Sequence, residues 1–275
     1  MDDGPADPGA HRLVFVAGLH RSGTSPTARL LSAHPSVSGL TATGVKEDEG
    51  QHLQDVYPSA RAYGGAGRFA FSPAAHLTEH SPLVRPGSAQ RLFQQWAPYW
   101  DLSRPVLVEK SPPNLVMTRF LQALFPEARF LVVVRHPVVV ALSTSKWAGL
   151  TPLRRLIEHW VTAHEIFLGD APSLRRLHVL RYEHLVAEPA AALDGVGEFL
   201  GLDGPIPRDS VDGRRSSTYV QQWKALQSSR NPLHRRSLAR IRAELGPRVE
   251  RLGYRLDDLD DVRAFPPVRP GPPQH

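Results

Sequence analysis

RLVFVAGLHRSGTSPTARLLSAH, residues 12–34, passes from an apolar run (Leu13 to Ala17) through the glycine-bearing loop GLHRSGTS. Pro26 then opens a stretch whose apolar positions Ala28, Leu30, Leu31 and Ala33 suit one face of a helix. Strand, loop and helix start in that order make an anion cradle. Successive backbone N–H groups over 19–25 converge on a phosphate, and the helix N-terminus adds partial positive charge. Gly18 and Gly23 permit the close approach that a side chain would block. Pro26 fits the first turn, where its missing N–H is no loss. The Gly18–Gly23 spacing is that of a nucleotide P-loop, which ends in GKS or GKT. Here Thr24 and Ser25 follow Gly23, and the cation, Arg21, lies inside the loop. An anion site is predicted, without the usual triphosphate–magnesium clamp.

The rest of the composition fits a ligand of that kind. A chain of 275 residues, 41% hydrophobic and 22% charged, has ample material for one large domain. Residues 1–11, acidic and proline-rich, read as a disordered leader, 12–260 as a single domain and 261–275 as a Pro-rich tail. No apolar run approaches the ~20 residues of a membrane span, and there is no cysteine for disulfides or thiolate metal sites. These features together predict a cytoplasmic protein. The net charge of +6 favours anionic ligands. Only four of the 33 basic residues are lysines, and Lys46, Lys110, Lys146 and Lys224 all fall in or beside candidate site segments.

Three more apolar runs end in polar residues: PVLVEKSPPN (105–114), ARFLVVVRHP (128–137) and RLHVLRYEHL (176–185). Helical stretches follow at about 113–124, 137–147, 152–169 and 189–200, the last closed by Gly201. Four strands alternating with helices predict an α/β domain, a P-loop-like three-layer fold with a central parallel sheet flanked by helices. Ligands in such folds bind beyond the carboxyl ends of the strands. The 18–25 loop, Glu109-Lys110-Ser111, Arg135-His136 and Arg181-Tyr182-Glu183 all reach that edge. Residues 35–48 read as loop, 49–60 as a short helix, 88–98 as an amphipathic helix and 234–251 as a basic helix. The 204–224 stretch reads as an irregular excursion folding back over the site. Lys146 and Trp147 are expected on the helix exterior and in the core.

Arg135 and Ser143 lie eight residues apart, across a strand end and two helical turns, so both reach one phosphate. With the first loop this becomes specific. GLHRSGTS (18–25) together with VVVRHPVVVALSTSKW (132–147) resembles the cytosolic and Golgi sulfotransferases that use 3′-phosphoadenosine 5′-phosphosulfate (PAPS). The likeness is nearest to tyrosylprotein-type and bacterial members and spans about 12–200. It implies that Arg21, Ser22, Gly23, Thr24 and Ser25, in a cradle shared with Gly18 and His20, grip the 5′-phosphosulfate. It also implies that Arg135 and Ser143 grip the 3′-phosphate, that Lys110 of EKSPPN lies near the sulfuryl group, and that Tyr182 of RYEHL lies near the adenine or the 3′-phosphate. Two positions depart from the family. The cytosolic enzymes' catalytic histidine, two residues after the lysine, is replaced by Pro112. The tyrosylprotein enzymes' glutamate has Thr41 at the nearest position, with Glu47, Asp48 and Glu49 soon after.

The resemblance implies in-line, metal-independent transfer to an acceptor hydroxyl, leaving 3′,5′-ADP, with Arg21, Lys110 and the loop amides stabilising developing charge. For the general base the candidates are Glu49 and, one helical turn on, His52. An acidic turn in solvent is the alternative for 47–49, and a surface pair with Glu109 is the alternative for Lys110. Lys224 is expected to close over the cofactor. Trp223 either stacks on adenine or anchors the excursion. The acceptor is a small molecule, peptide or glycan, with no nucleic acid partner, and the oligomeric state is not legible. A small-molecule or nucleoside kinase using ATP and magnesium is disfavoured by the absent P-loop lysine and by the Arg135/Ser143 pair. A non-catalytic basic nucleic-acid-binding protein is disfavoured by arginines spread along the chain without a motif.

Overall fold

Alternate residues of an apolar strand face opposite sides of its sheet, and that period of two builds the layers here. β1 (Arg12–Ala17) and β4 (Arg129–Val134) pair in parallel, Ala17 level with Val132. Leu13, Phe15, Phe130 and Val132 enter the core on one face, and Val14, Val16, Leu131 and Val133 the core on the other. β2 (Val37–Gly39), β3 (Val106–Lys110) and β5 (Leu177–Arg181) complete a five-stranded sheet, all parallel, in the order β2-β3-β1-β4-β5. This computed structural model describes residues 8–208 and 214–268, the side chains of 214–216 excepted.

α1 (Thr24–Ser32), α6 (Tyr182–Ala187) and α7 (Pro189–Leu200) cover the Val14 face. α2 (Ser88–Trp96), α3 (Thr118–Leu124), α4 (Pro137–Ser145), α5 (Leu153–Asp170), α8 (Arg214–Gln227) and α9 (Pro232–Arg251) cover the Phe15 face. The chain leaves β1 toward β2 and β3 on one side and returns to β4 and β5 on the other. The strand order therefore reverses beside β1, where an open α/β sheet leaves its ligand crevice. Three fully buried tryptophans fix the segments around that crevice, each giving its indole N–H to a carbonyl. Trp96 bonds Gly50 O at 2.9 Å, Trp160 bonds Arg135 O at 3.0 Å and Trp223 bonds Leu256 O at 2.9 Å. Among the described residues no helix is long and apolar enough to cross a membrane.

The three-layer parallel architecture matches the sequence reading, while several elements differ. The sheet has a fifth strand, β2, inside the stretch read as loop; its three residues are too few to show a period. The helix expected over 49–60 is instead a short 3-10 turn, Gly50–His52, because Glu49 before it is extended (ψ 120°) and Leu53 after it leaves helical angles (φ -104°, ψ 2°). The helix expected from 113 splits into a 3-10 turn, Pro112–Val116, and α3. The 204–224 excursion carries α8, with 209–213 outside the described residues. Of the expected leader, 1–7 lie outside them and Pro8–Ala10 form a 3-10 turn; of the tail, 269–275 lie outside and the Phe265 ring lies tilted beside that of Phe167.

Candidate active site

The cradle follows β1 directly. At Gly18 (φ 145°) a Cβ would stand 2.5 Å from Val133 O, so only glycine fits between β1 and β4. Ser22 N then bonds Leu19 O at 3.0 Å, and Arg21 takes a left-handed φ of 71°, a local strain common at functional sites. Gly23 (φ 106°) lies flat against the Tyr182 ring, and Thr27 Oγ1 donates to its carbonyl at 2.9 Å as α1 begins. Within this loop Ser22 Oγ and His20 Nδ1 are buried with no hydrogen-bond partner. An unmet buried polar atom costs about 1–3 kcal/mol, and these two mark where ligand groups would complete the set. Adding a Cβ at Gly23 collides with Tyr182 and strains the backbone. Gly23→Ala is therefore expected to lower Tm by about 5–10 °C. A thermal melt shifted by less than ~2 °C would show that this contact is not tight.

Beside the cradle three segments meet. Arg21 Nε donates to Ser143 Oγ at 2.8 Å, and Arg135 Nη1 donates to Arg21 O at 3.1 Å. The Arg135 guanidinium lies 4.3 Å over the Tyr182 ring. Burial lowers the pKa of Arg135, yet a guanidinium stays charged at neutral pH. Tyr219, from α8, hydrogen-bonds Ser143 and Lys146, and these bonds outweigh its burial to lower its pKa. Trp147 stands at the rim, half exposed, with Arg21 Cζ at 4.6 Å and Lys46 Nζ at 4.3 Å from its ring centre.

On the opposite side, at the end of β3, Lys110 is only 5% exposed. Its Nζ donates to Glu47 O at 2.8 Å and faces Glu49 Oε1 at 3.3 Å. The left-handed pair Glu47-Asp48 turns that carbonyl toward the lysine. His52 Nε2 is 3.7 Å from Glu49 Oε2. Glu109 points away from Lys110: it accepts from Ser111 Oγ (2.5 Å), Asn114 Nδ2 (2.6 Å) and Gly50 N (3.1 Å). Burial outweighs those donors and raises its carboxyl to about 7. Burial likewise holds His20 near 4, so its imidazole is neutral. A cavity of about 700 Å³ lies among His20, Arg21, Thr24, Glu49, His52 and Trp147. Lys110 lines a second one, of about 430 Å³, with Ser25, Thr41 and Glu47.

His20, Arg21, Thr24, Ser25, Glu49 and His52 thus line the larger cavity, Lys110 borders the smaller one and reaches Glu49, and Arg135, Ser143 and Tyr182 lie beside the cradle loop of Gly18, Ser22 and Gly23. Lys224 does not join them: it is exposed and faces Asp260 at 3.6 Å, while Trp223 is the anchor. Successive helical residues point 100° apart, so a helical reading of this stretch puts Tyr219 and Trp223 on one buried face and Lys224 off it. The sequence reading took this stretch as irregular rather than helical and so missed Tyr219. It expected Trp147 in the core, but α4 ends at Ser145 and Trp147 leaves its buried face. Gln51, also missed, carries no sequence signal.

The sequence pattern described as the sulfotransferase family matches residues 14–205. An uncharacterized protein of Aquifex aeolicus is 24% identical over 258 residues, 81% of this chain and 32% of its own. Protein-tyrosine sulfotransferase 2 of Gallus gallus is 25% identical over 199 residues, 69% of this chain and 51% of its own. The chain therefore spans about half or less of the length of these curated relatives. A solved sulfotransferase from Alicyclobacillus acidocaldarius superposes with a TM-score of 0.50 over 88% of this chain and 95% of that one; at 16% identity this likeness concerns the fold.

Proposed function

The chain belongs to the sulfotransferase family, and on that premise we propose that it moves a sulfuryl group from PAPS to an acceptor hydroxyl. The observation that carries this reading is the convergence of Arg21, Ser143 and Arg135 beside a cradle whose Ser22 and His20 retain unmet polar atoms. The two ends of a doubly phosphorylated nucleotide fit this arrangement: Ser22 to Ser25 and the α1 N-terminus for the 5′ side, Arg135, Ser143 and Tyr219 for the 3′-phosphate. PAPS supplies the activated sulfuryl group, whose bond to the 5′-phosphate breaks with its electron pair as the acceptor oxygen bonds sulfur. Lys110 and Arg21 place positive charge where negative charge develops. Glu49, paired with Lys110 and open to the larger cavity, takes the acceptor's proton, with His52 beside it. Small molecules, peptides and glycans are all acceptors compatible with that cavity.

Thermal shift with 3′,5′-ADP, 5′-AMP and ATP–magnesium tests the reading. Only a ligand that binds the folded chain stabilises it, and 3′,5′-ADP is expected to do so most. Arg135→Ala should weaken 3′,5′-ADP by about 10- to 100-fold and erase the preference over 5′-AMP. Stabilisation only by ATP with magnesium, or only by DNA, would overturn it.

A further inference from the structure

The turn that presents Glu49 is held from behind by a hydrogen-bond network that carries more than packing. Gly50 N donates to Glu109 Oε1, and Gln51 N donates to Ser111 Oγ at 2.9 Å, itself bonded to the same carboxylate. Gly50 has no room for a Cβ, since Glu109 Oε1 lies 2.6 Å and Trp96 Nε1 2.8 Å from where one would sit. β3 and α2 therefore fix the backbone of 50–51. From this base the Gln51 side chain, 3% exposed, turns back toward Glu49. Its Oε1 accepts Ala60 N–H at 2.8 Å, which leaves its NH₂ to donate to Glu49 Oε2 at 2.5 Å. The amide's orientation follows from that partner, because a backbone N–H demands the oxygen. Lys110 holds Oε1 of the same carboxylate. Glu49 is thus gripped at both oxygens, each keeping a lone pair for a proton.

We infer that Gln51 is a positioning residue. Its carboxamide aims the Glu49 carboxylate into the larger cavity and ties that aim to the Ala60 backbone, which lines the same cavity. This rests on the reading of Glu49 as base. The bridge joins two segments of the site wall, the 49–52 turn and the loop that starts at Ala60, through one buried amide. The charged and titratable groups facing Glu49 are Lys110 and Glu109 from β3, His20 from the cradle loop and His52 from its own turn. Among the hydrogen-bond donors to Glu49, Gln51 is the neutral one.

The test is a ligand-free carbon-13 NMR titration of the glutamate carboxyls in the full chain, with the Glu49 resonance identified by its absence from Glu49→Gln. Gln51→Leu deletes the donor and is expected to move the Glu49 midpoint up by about 1 pH unit. Gln51→Glu keeps the acceptor for Ala60 N–H but sets two carboxylates face to face; they share a proton, and the midpoint rises by about 2 pH units or more. This second variant keeps the side-chain shape if Gln51→Leu folds poorly. Turnover of labelled PAPS with 4-nitrophenol as probe acceptor should fall about 10-fold or more in both, with the acid limb of kcat displaced upward in Gln51→Glu. The KM for PAPS and the 3′,5′-ADP thermal shift should be unchanged. A Glu49 midpoint identical to wild type in both variants overturns the inference. Wild-type turnover in Glu49→Gln overturns instead the assignment of the base, and the two failures are read in different samples.

Discussion

Lys110→Ala is expected to lower turnover of labelled PAPS by about 10²- to 10³-fold, while affinity for 3′,5′-ADP falls by less than about tenfold. The split follows from where the charge is needed. A cation that meets negative charge only as it develops speeds the reaction without binding the product nucleotide equally well. Lys110 is well placed to be that cation. It stands at the carboxyl end of β3, level with Val16, one residue short of the end of β1 from which the cradle springs. It is nearly buried, where a charge acts more strongly than in water. Its Nζ is fixed by the Glu47 carbonyl and the Glu49 carboxylate rather than left to swing. Removing it also strands Glu49, 7% exposed, without its cation, and breaking such a buried pair destabilises by about 3–5 kcal/mol. The 3′,5′-ADP thermal shift separates the effects, since a variant that still gains stability from the nucleotide is folded. Equal losses of turnover and nucleotide affinity would make Lys110 a binding residue. Turnover within about threefold of wild type would remove it from the proposed reaction.

What could be read from sequence divides by the range of the forces involved. The cradle was legible because its chemistry is local: apolar strand, two glycines and helix start lie within one short window. Arg135 and Ser143 were legible because a strand end and 3.6-residue periodicity fix their separation. The turn that carries Glu49 was not, since its shape depends on Glu109, Ser111 and Trp96, about 45 to 60 residues away along the chain. A window over 49–60 contains none of them, and it suggests a helix where an extended Glu49 leads into a short 3-10 turn, Gly50–His52. Glu49 and His52 still come together, at 3.7 Å, although no α-helix joins them. α8 was obscured for another reason. Its buried face rests on Tyr219 and Trp223 amid arginine, serine and glutamine, so its apolar period is faint. The lysine drew attention, while the tyrosine four residues before Trp223 reached Ser143. β2 is too short for any period at all.

The fold should be lost in mild acid, well above the pH at which surface carboxylates protonate. Three buried histidines and the half-buried His20 are held in neutral form, their pKa values lowered chiefly by desolvation: His20, His136 and His164 to about 4 and His159 to about 3. Two are also committed through lone pairs. His136 Nδ1 accepts Val138 N–H at 3.2 Å, capping α4, and His159 Nε2 accepts Ala70 N–H at 3.2 Å. Protonation would turn each acceptor into a donor. These rings titrate near 6.5 when the chain unfolds. Between about pH 6.5 and 4 the unfolded chain therefore binds more protons, and stability falls as pH falls. Above 6.5 their contribution is fully present. Each ring removes about 1.4 kcal/mol per pH unit across that window. Glu109 opposes them: its folded value near 7 lies above the usual carboxylate range, so its slope cancels roughly one ring. The remaining three give about 4 kcal/mol per pH unit against a total stability of about 5–15 kcal/mol. Unfolding by urea, followed from pH 8 to pH 4.5, should show a plateau above pH 6.5 and a steep decline below pH 6. His136→Asn keeps a good N-cap for Val138 but cannot titrate, so it should shallow that decline by about one proton. Stability that stays level down to pH 4.5 would mean that these rings accept protons in the folded chain without cost.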